Sequence, residues 1–133
     1  MAEWQDVRDI ALGLPEVVES RSRRDVPEWR VRGKLFAWER PLRTADLEAL
    51  GEQAPPAEPL AARVPDLVAK EALLADDSDV YFTTPHFDGY PSILVHLERI
   101  DRDDLAELLV EAWLSQAPKR LAASFLDDGG PDV

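Results

Sequence analysis

The sequence predicts an α+β two-layer sandwich, in which an antiparallel sheet carries N- and C-terminal helices packed on one face. Amphipathic helical patterns open and close the chain, and two alternating runs around Gly33 have the form of a β-hairpin. The 133 residues include no cysteine, and a chain of this length can bury a core without disulfides. We therefore expect one domain over residues 1–126, followed by a disordered C-terminal tail at 127–133.

The first predicted helix is defined by apolar residues at helical spacing. They form one stripe that stops before Pro15, made of Trp4, Val7, Ile10, Ala11 and Leu14. The polar, alternating run at residues 19–24 comes next and favours an edge strand. In that strand Arg21 and Arg23 would point to the same side.

A hairpin is predicted where the runs 28–32 and 35–39 flank Gly33-Lys34. A Gly-X pair at this position is typical of a type II′ turn, and a two-residue loop sets the register of both strands. That register places four apolar side chains on the core face, with Val31 opposite Phe36 and Trp29 opposite Trp38.

Shorter elements are predicted over the rest of the chain. Cap residues and apolar spacing indicate three helices, from Thr44 to about Gln53, from Asp66 to about Ala75, and from Asp101 to near Pro118. A last short helix is expected at 119–126. Strands are expected at 60–64, 80–84 and 92–98, with Val80, Phe82, Ile93, Val95 and Leu97 facing inward.

The positive charges are concentrated in one segment. The chain carries a net charge of −12, yet residues 20–43 hold eight basic and three acidic residues, so that segment is +5 and the remaining 109 residues are −17. Binding to a polyanion would have to use this segment, because the overall field repels one. The predicted strand parities add a set of side chains on the uncovered sheet face, namely Arg30, Arg32, Arg63, Tyr81, Leu94 and His96. Such a face suits phosphates and bases, and it is also what any open sheet face in water requires.

Six short motifs form an ordered set between about residues 4 and 125. They are Leu14-Pro15-Glu16, the run GKLFAW at 33–38, TPHFDGY at 84–90, Leu94-Val95, Ala112-Trp113 and APKRL at 117–121. This set resembles the MmcQ/YjbR family. The resemblance implies a CyaY-like (frataxin-like) fold for the domain at 1–126 and DNA binding by a double-wing arrangement. The segments 22–27 and 40–59 depart from the usual family pattern.

A nucleic-acid site follows from the resemblance together with the basic segment. We expect weak, largely sequence-independent DNA binding, driven by phosphate neutralisation and counterion release. The candidate residues are Arg21, Arg23, Arg30, Arg32, Lys34, Tyr81 and His96.

Two other functions stay open. The chain could be a protein-interaction or small-ligand module, in which the basic segment docks an acidic protein partner or the loop 84–91 lines a pocket with His86, Asp88 and Tyr90. Self-association of the basic segment with the acidic remainder is a third arrangement, and the oligomeric state is open.

No pattern in the sequence predicts catalysis, a cofactor or a metal centre. The serines lie in no nucleophile-elbow context, and only the pair His86 and Asp88 suggests acid–base chemistry. Metal ligation by these two with His96 lacks suitable spacing, although the first-helix acids leave weak cation binding open. No apolar run approaches the roughly 20 residues that span a bilayer, so we expect a cytoplasmic, non-enzymatic protein with no membrane contact.

Overall fold

The computed structural model describes residues 2–127, which form five α-helices and one six-stranded antiparallel sheet. The helices are α1 (Trp4–Leu12), α2 (Thr44–Leu50), α3 (Leu67–Asp76), α4 (Arg102–Gln116) and α5 (Lys119–Asp127). The strands are β1 (Val17–Arg21), β2 (Pro27–Val31), β3 (Lys34–Glu39), β4 (Leu60–Arg63), β5 (Tyr81–Phe82) and β6 (Ser92–Val95), in the spatial order β1-β2-β3-β4-β6-β5. Three short 3₁₀ helices lie at Gly51–Gln53, Pro85–Phe87 and Leu97–Arg99.

The prediction of an α+β sandwich is confirmed. Helices α1 and α4 lie on one face of the sheet, and the main core fills the space between the two layers. Val7 and Ala11 of the predicted N-terminal stripe are buried, and Trp4 stacks on Trp29 of β2 with ring centroids 6.3 Å apart. Each large apolar side chain buried in such a layer contributes about 1.5–3 kcal/mol.

Two predicted helix boundaries, the end of α5 and the start of α3, lie within about one residue of the prediction. Helix α5 ends at Asp127, the first residue of the predicted tail, and residues 128–133 lie outside the described part of the chain. Helix α3 begins after Asp66, whose Oδ1 accepts a hydrogen bond of 2.8 Å from the amide of Ala69, as an N-cap should. No helix formed by residues 2–127 is long and apolar enough to cross a bilayer.

The hairpin exists, but its predicted turn is wrong. The two central residues are Arg32 and Gly33, with φ of 50° and 83°, so the turn is of type I′ rather than type II′. Val31 and Lys34 are the closing pair, one residue earlier than a Gly33-Lys34 turn would give. Arg32 therefore lies at the tip of the hairpin and not on a strand face.

The predicted cross-strand pairs are wrong because β3 contains a bulge. Trp29 lies opposite Ala37 and Arg30 lies opposite Leu35, so Phe36 is the extra residue. Phe36 and Ala37 both reach the core, and every side chain beyond the bulge changes face. Trp38 consequently leaves the core and joins the opposite side of the sheet.

The parity predicted for β5 is also wrong. Tyr81 pairs with Val95 and belongs to the main core, whereas Phe82 pairs with Leu94 on the opposite face. Val80 does not extend the strand, because its amide bonds to the carbonyl of Asp77 in a turn. In a strand of two residues, the alternation of apolar and polar side chains is too short to predict which side chain faces the core.

Candidate ligand-binding face

The sheet face away from α1 and α4, here called the outer face, holds one continuous row of cross-strand neighbours. The row crosses all six strands, in the order Ser20, Glu28, Trp38, Ala61, Leu94 and Phe82. The row is polar at the β1–β2 edge and apolar from β3 onward. A second row contains Val18, Arg30 and Leu35, and Arg63 with Ser92 lies on the same face.

The apolar half of the outer face is covered by the loop at residues 84–91. Phe87 of this loop packs with Ala61 and Leu94, and the partly buried Trp38 and Phe82 flank the cluster. Leu94 was expected on an uncovered face, and it does point to that face, but the loop leaves it only 1% exposed. The open part of the outer face is therefore the half formed by β1, β2 and β3.

A buried lysine anchors the loop from outside the sheet. Lys70 of α3 is 5% exposed, and its Nζ donates to the carbonyl oxygens of Phe87 at 2.6 Å and Tyr90 at 2.9 Å. Burial lowers the pKa of Lys70, and the carboxylate of Asp88 opposes that shift. Two charge-assisted hydrogen bonds to the backbone fix the loop at Phe87 and Tyr90.

Where the loop meets β3 and β4, a recess of about 350 Å³ opens on the outer face. Its lining combines two guanidinium groups with aromatic rings and consists of Leu35, Trp38, Arg40, Arg63, His86, Phe87 and Tyr90. The Arg63 guanidinium lies 5.1 Å from the ring centroid of Trp38, and that of Arg40 lies 5.3 Å from the centroid of Phe87. Both distances are those of cation–π contacts, so each arginine lies over the face of a ring.

Arg40 is a buried cation with spare hydrogen-bonding capacity. It is 8% exposed, and its Nη2 donates to Oδ2 of Asp46 at 3.3 Å. Its Nε is buried and has no hydrogen-bond partner among residues 2–127. Burial lowers the pKa of Arg40, Asp46 opposes this, and Arg43 and Arg24 lower it further. The guanidinium stays charged at neutral pH, so the recess wall carries a positive group that still lacks an acceptor.

Arg63 adds a second positive group to the recess. Its Nη1 donates to Oγ of Ser92 at 2.9 Å, and burial lowers the pKa of its guanidinium. A serine hydroxyl satisfies one of five N–H donors and supplies no negative charge. The recess is therefore suited to an anion that also carries a flat, polarisable group. The arginines would contact the negative charge, and the aromatic rings would contact the flat group.

The structure brings together two of the three residues predicted for the alternative pocket. His86 and Tyr90 both line the recess, and the rings of His86 and Phe87 meet edge to face at 4.9 Å. Asp88 is exposed and does not line it. Trp38 was expected in the core. Arg40 belongs to the basic segment but was not a candidate site residue, and Lys70 was not expected at a site. Lys70 gave one signal, as the only cation of its predicted helix.

The predicted arginines of the basic segment do not share one face. Arg30 lies on the outer face, whereas Arg21 pairs with Pro27 on the side that carries Trp29 and the helices. Arg23 was predicted within a strand at 19–24, but β1 ends at Arg21 and Arg23 lies in the turn that follows. Lys34 is exposed at the start of β3, where it pairs with Val31 and therefore does not share the face of Arg30.

Three of these arginines have acidic partners. Arg21 Nε lies 2.7 Å from Asp25, Arg32 Nε lies 2.6 Å from Glu16, and Arg30 Nη2 lies 3.4 Å from Glu28. The hydrogen bond between Glu16 and Arg32 lowers the pKa of the carboxyl and raises that of the guanidinium. Ion pairs this exposed exchange readily for a competing anion.

Neither predicted stacking residue is available on the surface. Tyr81 is 8% exposed within the core, where burial and nearby carboxylates, Asp104 first among them, raise the pKa of its hydroxyl to about 12. His96 is on the outer side but only 3% exposed, and its ring stacks on Phe82 with centroids 4.3 Å apart. Both were expected on an uncovered face, and that expectation is wrong.

The buried His96 makes stability depend on pH. Burial and the charge of Arg99 lower its pKa, against the opposing effect of Glu98 at 3.5 Å. The unfolded chain then takes up the proton at higher pH than the folded chain. Neutral His96 contributes its full stability above the unfolded pKa of about 6.5, and this contribution is lost as pH falls toward the folded pKa.

We therefore expect wild type to lose free energy of unfolding between pH 7.5 and 5.5, with a slope from this residue of at most about 1.4 kcal/mol per pH unit. Urea titrations at both pH values measure it. His96→Asn should lose less free energy of unfolding over the same interval. Burial raises the pKa of Glu39, so this residue changes stability in the opposite direction as the pH falls. The effect of Glu39 is the same in both proteins and cancels when they are compared. Equal losses would show that His96 is not the titrating group.

A second cavity, of about 500 Å³, lies between α3 and α4 and has the opposite electrostatic character. Its floor is apolar, and its rim carries five carboxylates, from Asp76, Asp77, Asp104, Glu107 and Glu111. The described surface therefore separates its charges, with arginines at the outer face and acids at the groove between these helices.

Fold and face together define a small α+β sandwich domain with a basic, aromatic recess on the open side of its sheet. The family model YjbR matches residues 12–115, so the chain belongs to the YjbR family, as its motifs indicated. The uncharacterised protein Rv2570 of Mycobacterium tuberculosis is 51% identical over 133 residues, which is 98% of this chain and all of the relative. The uncharacterised protein Mb2600 of Mycobacterium bovis has the same identity and coverage.

A solved structure supports the same fold. The crystal structure of Deinococcus radiodurans protein DR2400, which carries the family-model domain DUF419, superposes with a TM-score of 0.67. The match covers 99% of this chain and 91% of that one, at 19% sequence identity. At that identity the likeness establishes the shared architecture.

Proposed function

We propose that this YjbR-family chain is a non-enzymatic, cytoplasmic nucleic-acid-binding protein that contacts phosphates through its outer face. One observation carries the proposal, namely that arginines from three separate segments lie on this face beside partly exposed rings. Arg30 comes from β2, Arg40 follows β3 and Arg63 ends β4, while Trp38 and Tyr90 lie between or beside them. Arginine interleaved with aromatic rings is the usual composition of a surface that binds single-stranded or backbone-exposed nucleic acid.

Binding would be weak and dependent on salt. The net charge of −12 repels a polyanion at a distance, so attraction is confined to the outer face. Each phosphate contacted by an arginine or lysine releases condensed counterions, and that release supplies most of the free energy of non-specific binding. Little sequence preference follows, because phosphates carry no sequence information.

The basic residues of the hairpin would extend this surface. Arg30 is held by Glu28 across 3.4 Å, a pair worth at most about 1 kcal/mol that a phosphate can replace. Lys34 and Arg23 are exposed and lie at opposite ends of β2, and Arg21 and Arg32 would contribute from the edges of the surface.

Fluorescence anisotropy of a labelled oligonucleotide tests the proposal. With four or five phosphates contacted, the logarithm of affinity should fall with the logarithm of salt at a slope of about −4, a loss of about 250-fold between 50 and 200 mM. The variant Arg30→Gln should reduce the slope to about −3, because one contact is removed. Arg120→Gln, an equal loss of charge on α5, should leave the slope near −4.

Two results would contradict this proposal. Binding that is absent at 50 mM salt would remove nucleic acid as the ligand of this chain. Binding with unchanged salt dependence in Arg30→Gln would remove the outer face as its site.

A further inference from the structure

We propose that the recess holds one unpaired nucleotide, so that the protein prefers single strands to intact duplex. This inference rests on the proposed nucleic-acid function and adds the form of nucleic acid that is bound. It requires a site for one phosphate and a site for one base face, within reach of each other. Both are present among the seven residues that line the recess.

The phosphate site is formed by the two arginines. Asp46 neutralises one of the two guanidinium charges, so Arg40 and Arg63 leave one net positive charge at the recess wall. A phosphodiester carries a single negative charge and so complements this wall. The guanidinium of Arg63 donates one hydrogen bond, from Nη1 to Ser92, so its remaining N–H donors can bind a phosphate oxygen.

The base site is formed by flat groups at the mouth of the recess. Tyr90 is 58% exposed and His86 is exposed, so their rings can be reached by a ligand from solvent. The guanidinium of Arg63 already lies against Trp38, and a guanidinium plane accepts a base on its free side as an aromatic ring does. The volume of about 350 Å³ lies within the range of small-molecule sites, roughly 300–1,000 Å³.

Two features favour an unpaired base over duplex. A base within a duplex has both faces covered by its neighbours, so it can enter a recess only after it has left the stack. The recess is also preformed, because Lys70 fixes the backbone on either side of Gly89 through the carbonyls of Phe87 and Tyr90. A fixed wall loses little conformational entropy when a ligand binds.

Three oligonucleotides with nearly the same number of phosphates separate base contacts from backbone contacts. They are a ten-nucleotide single strand, the same strand with abasic positions throughout, and a five-base-pair duplex closed by covalent crosslinks. Measured by anisotropy at 50 mM salt, the intact single strand should bind about tenfold more tightly than the abasic strand and the duplex, because stacking of one base is lost in both.

Variants at the mouth of the recess assign that difference to Tyr90. Tyr90→Ala should lower affinity for the intact strand about tenfold and leave affinity for the abasic strand unchanged. Tyr90→Phe, which keeps the ring, should restore wild-type binding. Tyr90 is exposed, so neither variant should impair folding, and circular dichroism checks this.

The outcomes distinguish this inference from the proposed function. Equal, salt-dependent binding of all three oligonucleotides, unaffected by Tyr90→Ala, would overturn the nucleotide recess and leave phosphate binding by the outer face standing. Binding of none of them at 50 mM salt would overturn both.

Discussion

Replacing Asp46 with alanine is expected to lower the free energy of unfolding by about 3–5 kcal/mol, because it leaves the buried Arg40 charge without a partner. Arg40 and Asp46 are 8% and 4% exposed, so water cannot take over the role of the carboxylate. The same Oδ2 also accepts the amide of Arg43 at 2.9 Å, at the start of α2. Urea unfolding of wild type and Asp46→Ala measures the difference.

Two further variants separate the ion pair from the helix. Glu48→Ala removes an exposed carboxylate from the same helix and should change stability by no more than about 0.5 kcal/mol. Arg40→Met/Asp46→Leu removes both charges and should recover stability to within about 2 kcal/mol of wild type. An apolar pair needs no desolvated partner, and only the hydrogen bond to the amide of Arg43 stays lost. A double variant as unstable as Asp46→Ala would show that the ion pair is not the cause.

Replacing Trp113 with alanine is expected to cost about 3–5 kcal/mol, the range for removal of a large buried aromatic side chain. Trp113 is fully buried in α4, and its ring packs against Phe125 of α5 with centroids 4.9 Å apart. Its Nε1 donates to the carbonyl of Pro15 at 3.0 Å, which ties α4 to the segment between α1 and β1. Chemical denaturation of Trp113→Ala measures the loss.

The matched control is Trp113→Phe, which keeps most of the ring but removes the N–H donor. It should cost about 1–3 kcal/mol, the penalty for leaving a buried carbonyl unpaired together with a small loss of packing. If both variants lost the same free energy, the hydrogen bond to Pro15 rather than ring burial would dominate the role of this residue. If neither lost more than about 1 kcal/mol, α4 would not be packed as described.

Sequence patterns were reliable for the long helices. The stripe that includes Val7 and Ala11 in α1, and the one that ends at Trp113 in α4, each repeat over several turns, so an error at one position leaves the buried face unchanged. The edge position of β1 was also evident, because its polar alternation leaves no continuous apolar face to bury.

The short strands were harder to predict, because one residue decides the face of every residue that follows. The extra residue Phe36 turned Trp38 from the core to the outer face, and the turn at Asp77 reversed Tyr81 and Phe82. Neither a bulge nor a turn of this kind has a dependable local sequence signal. Both are selected by how the finished sheet packs.

The sequence by itself determined the helix–sheet–helix order, the hairpin around Gly33, the family motifs and the concentration of positive charge between residues 20 and 43. These depend on local periodicity and composition, which a linear chain displays directly. Only the tertiary structure decided that Arg40, Arg63, Trp38, His86 and Tyr90 meet in one recess. Those residues come from two strand ends and a loop that Lys70 holds in place, and such a meeting depends on register and long-range packing rather than on any spacing along the chain.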